Sequence, residues 1–360
     1  MNSFFDVSKM SATQAQYEAQ KIAFAPIVFQ AVRVLRDSGI FKLLHEHKTG
    51  IRIEHIANEL SMSSYAVTVL LESGMSAGSV AMNEDLFSLT KIGFFLLHDK
   101  MTRINMDYNH YVNYVGLYDL DKAVASGEPE GLKFFGTWET IYPALTSLPE
   151  KAKNAWFAFD HFYSDSAFEG ALRIMAQDQP KHLLDIGGNT GRFSRLCATS
   201  LDQCMVTIVD LPQQLEVANK EVSEAGLSHR IDTYAANMLD PLAELPIKFD
   251  GAWMSQFLDC FGEEDVVKIL SKIANSIEDG GKVYILEPIW NRQKYETSAY
   301  CLINTSPYFT ALANGKSKMF NFGELTRCIL KSGLIIRDLY DDVGFCHSLI
   351  VCEKNQKVTK

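Results

Sequence analysis

Leu183-Leu184-Asp185-Ile186-Gly187-Gly188-Asn189-Thr190-Gly191 reads as a buried strand that ends in an acid and runs into a glycine-rich turn opening a helix. Glycines let a backbone approach a ligand closely, since no Cβ intervenes. The helix that follows offers unpaired N–H groups. Doubly wound sheets bind ligands at such C-terminal strand ends. The spelling excludes two common phosphate-binding turns. A phosphate loop needs Gly-Lys-Ser/Thr, and here Gly191 is followed by Arg192-Phe193. A dinucleotide fingerprint needs G-x-G-x-x-G, and the glycines stand at 187, 188 and 191. A tight strand–helix turn without a ligand is the plain alternative.

The next strand weakens that alternative. Val206-Thr207-Ile208-Val209-Asp210-Leu211-Pro212 places an acid about 20 positions beyond the glycine turn, where it suits both ribose hydroxyls of a nucleoside. Alone, Asp210 reads equally as a helix N-cap. Around these two strands, short apolar runs alternate with helical patterns from Lys181 onward. Strands are expected at 182–187, 204–210, 231–235, 249–254 and 282–287, with two more at 334–338 and 347–352. Helices fit at 190–200, 213–225, 263–278 and 321–332. This is α/β alternation, and it predicts a mostly parallel sheet covered on both faces.

Upstream the texture differs. Ile27, Val28, Ala31, Val32 and Leu35 recur at helical spacing, and short helices are expected at 40–45, 51–60 and 63–73. Two short strands follow within 79–89, turning at Asn83-Glu84-Asp85. Helix, helix, helix, hairpin is a winged-helix order. Residues 51–100 carry three basic and six acidic groups, and 63–73 has no Lys or Arg. Reading DNA needs cations at the phosphates, so dimerisation is the expected use of these apolar helices. Residues 106–178 are helical and rich in aromatics, which read as core packing or as the lining of an apolar pocket. The expected divisions are 1–105, 106–178 and 179–360.

Composition agrees. The 360 residues carry 34 basic and 44 acidic groups for a net charge of −10, and 47% are apolar. A global basic footprint for nucleic acid is absent. No uncharged apolar run reaches about 18 residues, so no membrane-spanning helix is expected. Met1–Met10 shows no signal-peptide pattern. The seven cysteines are odd in number, all lie in the second half and form no CxxC pair, so neither a disulfide framework nor a metal site is expected. A cytoplasmic location follows.

DIGGNTG at 185–191, VDLP at 209–212, AANMLD at 235–240, FDGAWMSQFLDCFGEED at 249–265 and GGKVYILEPIW at 280–290 together resemble the S-adenosylmethionine-dependent O-methyltransferases of the plant caffeic acid and hydroxyindole type. The resemblance extends over nearly the whole chain. It implies a seven-stranded Rossmann-like methyltransferase domain behind a mostly helical, winged-helix-like dimerisation domain, and a homodimer. It implies S-adenosylmethionine as cofactor and a small aromatic or hydroxylated substrate. Asp185, Gly187, Gly188 and Gly191 would wrap the methionine part, and Asp210 with Leu211 would hold the ribose. Asn237, where the family usually has Asp, and Met238 would flank the adenine. Ser255 stands where the family often has Lys.

At the reacting centre the family's His-Asp-Trp is matched by Asp259-Cys260-Phe261. The general-base imidazole is replaced by a carboxylate. Glu287 matches one supporting Glu, and a second, near Ser317–Met319, has no counterpart. Ordinary Asp and His differ by about 2.6 pKa units, so full proton transfer is harder by about 3.5 kcal/mol at most. Three readings stay open. Asp259 is a tuned base for O-methylation, or it orients a hydroxyl while an activated carbon is methylated, or the chain binds the cofactor without catalysis. The expected substrate-lining residues are Phe159, Phe162, Phe261 and Asn314. His161, among the aromatics, is a candidate substitute base, and His347 reads as structural.

Overall fold

The alternation after residue 181 closes into one sheet in the computed structural model, which describes residues 4, 5 and 9–355. The expected lack of a leader rests partly on residues 1–3 and 6–8, and the last expected domain runs to 360; these ends lie outside the described residues. Among the described residues nine strands form two sheets: β1 (Val80–Asn83), β2 (Leu86–Leu89), β3 (His182–Ile186), β4 (Met205–Asp210), β5 (Ile231–Ala235), β6 (Phe249–Ser255), β7 (Ile277–Pro288), β8 (Leu334–Val343) and β9 (His347–Lys354). β1 and β2 pair as an antiparallel hairpin. The others form a seven-stranded sheet in the order β5-β4-β3-β6-β7-β9-β8. Only β9 runs against its neighbours. The chain winds outward from β3 to β5, then returns to β6 on the other side of β3. Strand order therefore reverses between β3 and β6, and ligands of such sheets sit in the crevice at that reversal.

The period-2 pattern of the strands explains why helices cover both faces. Leu184, Ile186, Ala252, Met254, Val283 and Ile285 point to one face and pack with Val266, Ile269, Leu270 and Ile273 of the helix Glu263–Ser276. Leu183, Val206, Ile208, Trp253, Tyr284 and Leu286 point to the other. There they meet Ala167 and Ala171 of the long helix Glu150–Met175 and Phe193 and Cys197 of the helix Arg192–Ser200. The Phe193 ring lies flat on Trp253, centroids 3.9 Å apart. All seven cysteines are free, and five of them are buried as small apolar side chains.

Two units divide the chain: residues Phe5–His110, and the remainder from Tyr111 onward. The aromatic middle segment thus belongs, from Tyr111, to the unit containing the large sheet. In the first unit the expected helix over 24–35 is longer, Ala12–Asp37, because Ser11 and Gln14 cap it reciprocally. Val32 and Leu35 enter its core, whereas Ile27 is exposed, as are Tyr17, Ile22 and Phe24. The helices Ile53–Glu59 and Ser64–Ser76 then lead into the hairpin, in the expected order. Among the described residues no helix is long and apolar enough to cross a membrane.

Candidate active site

The C-terminal ends of β3, β4 and β5 build one half of the site. Gly187 leaves β3 at φ 71°, and its N–H is held by Val209 O at 2.8 Å. A Cβ there would stand 2.2 Å from the Phe257 ring, so the close approach as well as the positive φ requires glycine. Gly191 closes the turn, donating to Gly188 O at 2.8 Å. Asn189 takes the left-handed conformation at φ 50° and thereby aims its N–H at Asp210 Oδ2, 2.8 Å away. Leu211 N–H donates to Asp210 Oδ1 at 2.7 Å. Each oxygen of Asp210 thus accepts one backbone donor and keeps further acceptor capacity. Burial pushes this carboxyl upward, and the two N–H groups oppose the rise.

The other residues expected at the cofactor divide by what they touch. Asp185 is turned inward. It is 2% exposed, accepts a 2.5 Å hydrogen bond from Ser194 Oγ, and is pushed by burial to about 7. It braces the helix that begins after the glycine turn. Asn237 Oδ1 accepts from Leu239 N–H at 3.0 Å and shapes the turn after β5. Met238 places its side chain in the core, while its carbonyl accepts from Lys272 Nζ at 3.1 Å. Ser255 Oγ, at the end of β6, is buried without a hydrogen-bond partner.

β6 and β7 build the other half. Beyond Ser255 the backbone turns at Gln256, φ 47°, into the short helical turn Leu258–Cys260. Glu287, with no exposed surface, reaches across from β7, and its Oε1 accepts from Phe257 N–H (3.1 Å) and Leu258 N–H (2.8 Å). It therefore fixes the turn that carries Asp259, while its Oε2 has no partner. Asp259 is 3% exposed, with Cys260 Sγ 3.5 Å from its Oδ1. Burial raises Asp259 to about 6, partly countered by that thiol. Burial, and then the charge of Asp259, raise Glu287 well above the usual carboxylate range, so it is the proton-holding member of the pair.

Asn314 ties a separate loop to this turn. Its Nδ2, with two hydrogens to give, lies within hydrogen-bond distance of Cys260 O (2.9 Å), Ser317 Oγ (2.8 Å) and Tyr142 OH (3.2 Å), and its Oδ1 accepts from the N–H groups of Lys316 and Ser317. Phe261 packs edge-on to Phe257, centroids 4.9 Å apart. Phe159 and Phe162 turn elsewhere. Phe159 meets Tyr163 at 5.0 Å, and Phe162 stacks on Phe345 in the β8–β9 turn. From the same helix it is Asp160 that approaches the acids. His161 stacks on Phe157, and burial lowers its pKa.

Sequence reasoning missed Asp160, Gln256 and the reach of His347. His347 Nε2 lies 2.6 Å from Gln256 Oε1, and Gln256 Nε2 lies 3.4 Å from Asp160 Oδ1. The available signal for Asp160 was one acid inside the run Phe157 to Tyr163. Nothing in the one-dimensional pattern links residues 160, 256 and 347.

The sheet order and the paired strand-end sites define a class: a doubly wound α/β protein with a ligand crevice at the C-terminal ends of its central strands. The comparisons narrow it. The O-methyltransferase domain matches residues 118–324, and the chain belongs to that family. A Dimerisation2-like domain matches residues 16–87. The L-tyrosine C(3)-methyltransferase of Streptomyces lavendulae is 24% identical over 316 residues, 87% of this chain and 85% of the relative. The 2,7-dihydroxy-5-methyl-1-naphthoate 7-O-methyltransferase of Streptomyces carzinostaticus is 23% identical, over 71% of this chain and 74% of the relative. The crystal structure of the S-adenosylmethionine-dependent methyltransferase SibL shares the fold, with a TM-score of 0.71 at 21% identity, covering 93% of this chain and 98% of that one. The chain is a methyltransferase, and S-adenosylmethionine is its methyl donor. The glycine cradle and the remaining acceptor capacity of Asp210 fit that cofactor.

Proposed function

We propose that this enzyme methylates a small phenolic metabolite, with Asp259 as the base that takes the hydroxyl proton. When bound, S-adenosylmethionine supplies an electrophilic methyl group. The chain must then place the nucleophile in line and exclude water. Asp210, Leu211 and the turn Gly187–Gly191 would hold the cofactor, with Asn237, Met238 and Ser255 beside it. Glu287 and Asn314 would hold the Leu258–Cys260 turn in place, and Phe261 with Phe257 would wall it.

The observation that carries the reading is the burial of Asp259. Its rise to about 6 leaves it only about 0.5 unit below an ordinary imidazole at 6.5, which is about 0.7 kcal/mol. Most of the basicity lost by the exchange of His for Asp is recovered by the pocket. A phenolate shares its charge between oxygen and the adjacent ring carbons, so the same proton step serves O- or C-methylation. O-methylation is the primary reading. The tyrosine C(3)-methyltransferase relative gives ring methylation specific support as the second. The match to the dimerisation-type domain and the exposed apolar side chains of the helix Ala12–Asp37 support a homodimer. Seven free cysteines suit a reducing cytoplasm.

The test is methyl transfer from labelled cofactor to a panel of simple phenols, with NMR of the product to separate methoxy from ring methyl. The rate should rise with pH through about 6 and level off above, since the base works only when ionised. Cofactor binding without product from any phenol would favour a cofactor-binding protein that has lost the chemistry.

A further inference from the structure

We infer that Asp160 selects a substrate that carries a protonated amine, so that the phenol methylated here is an aminoalkyl phenol. The inference rests on the proposed methyl transfer and names the substrate class of the same site.

Three observations carry it. First, Asp160 is partly accessible: its side chain, on the helix Glu150–Met175, keeps 23% of its surface exposed. Second, it is held in place. His347, buried on β9 and kept neutral because burial lowers it to about 4, lies against Gln256 Oε1. That leaves the Gln256 amide N–H to point at Asp160 Oδ1, a donor that favours an ionised carboxylate with fixed orientation. The backbone of Gln256 lies in the left-handed region at φ 47°, a strain that functional sites tend to hold. The nearest cationic side-chain contact to Oδ2 is His161 Nδ1 at 3.8 Å, beyond hydrogen-bond length, and that imidazole is itself pushed toward neutrality.

Third, the acids have no basic side chain paired with them. Asp259 acts on both Asp160 and Glu287, and among the described residues no Lys or Arg ion pair reaches any of the three. Arg192, whose charge is felt at Asp160, is paired with Asp165. Glu287 Oε2 is fully buried and accepts nothing. A ligand ammonium at Asp160 would give that carboxylate the cationic partner that no Lys or Arg ion pair among the described residues supplies. The acid then has a different task from Asp259: it binds, while Asp259 takes the proton.

The test compares two phenols that share a ring and a two-carbon chain. Tyramine carries the ammonium and 4-ethylphenol does not. Calorimetry on the enzyme loaded with S-adenosylhomocysteine should show tyramine binding at least tenfold more tightly. Burial, then the charge of Asp259, raises Asp160 to about 7 against the pull of the Gln256 amide, so tyramine binding near pH 7 should also release protons as the ammonium draws Asp160 into its ionised form, seen as a heat that depends on the buffer's ionisation enthalpy. Asp160→Asn should bring the tyramine to 4-ethylphenol ratio toward one. Equal affinities in the wild type, binding of neither phenol, or a ratio that survives Asp160→Asn overturns the inference. Methyl transfer to 4-ethylphenol with no preference for tyramine would do so while leaving the methyltransferase reading intact, and loss of S-adenosylhomocysteine binding would strike that reading instead.

Discussion

Asp259→Asn should make the protein more stable while removing its chemistry. The carboxyl is 3% exposed, and burial raises it from 3.8 to about 6. At 1.36 kcal/mol per pKa unit, the ionised group is about 3 kcal/mol less favourable in the fold than in the unfolded chain. The folded chain holds this proton more tightly than the unfolded one. Stability is therefore fully present below about pH 4, falls as pH rises through about 6 and is flat above. Asn never ionises and escapes this loss. The variant should gain about 3 kcal/mol over wild type at pH 8 and about half of that at pH 5. Urea unfolding of the cofactor-free protein at both pH values, followed by circular dichroism, reads the difference as a shifted midpoint with an unchanged slope. The same variant should lose about 10²- to 10⁴-fold in rate, the usual contribution of a general base. A variant no more stable than wild type at pH 8, or a gain independent of pH, would refute the argument that burial tunes Asp259.

Two further outcomes follow from the glycine turn and β4. Asp210→Ala should weaken S-adenosylhomocysteine binding by about 10- to 100-fold by calorimetry, the loss expected when a charged acceptor is removed and two backbone N–H groups are left without a partner. Gly187→Ala places a Cβ against the Phe257 ring at a positive φ, so it should lower the thermal midpoint and cofactor affinity together, whereas Gly226→Ala, also at positive φ but with open space around it, should leave cofactor affinity unchanged.

Much of the fold was legible because its signals are local. The strands β3 to β6 end within a residue or so of their expected limits; the signal is plainest for β3, stopped by Gly187, and β4, which ends in Asp210 before Leu211-Pro212. β7 is longer than expected: Ile277 pairs with Phe249 ahead of the apolar run, and the register then shifts before Lys282 meets Gly251. The helix Glu296–Tyr308 was not expected at all. It contains Pro307 and buries few side chains, so its pattern is weak. The substrate-lining expectations followed aromaticity, and successive helical residues are about 100° apart, so Asp160 faces a different direction from Phe159 and Phe162 on the same helix. One acid in an aromatic run carries little weight until Gln256, far along the chain and itself held by His347, is seen to reach it.

The exchange of imidazole for carboxylate changes the charge balance of the reaction more than its basicity. An imidazole that takes a phenol's proton becomes a cation and creates an ion pair where two neutral groups stood. Asp259 becomes neutral, so its negative charge moves onto the phenolate. In a buried pocket, creating two charges is costlier than moving one. The neighbours suit a moving charge. Glu287 is raised well above the usual range and stays protonated beside Asp259, so a single negative charge is shared between two acids. The backbone N–H groups of Phe257 and Leu258 fix Glu287, and through it the turn, whichever group holds the charge. Methyl transfer then cancels the phenolate against the positively charged donor and leaves the pocket with its proton on Asp259. That proton has a route outward through the titration of Asp259 near 6, below neutral pH. On the proposed reading, the carboxylate at this position is a base whose strength is set by what surrounds it. Exposing it would lower its pKa and slow the reaction even with every other contact in place.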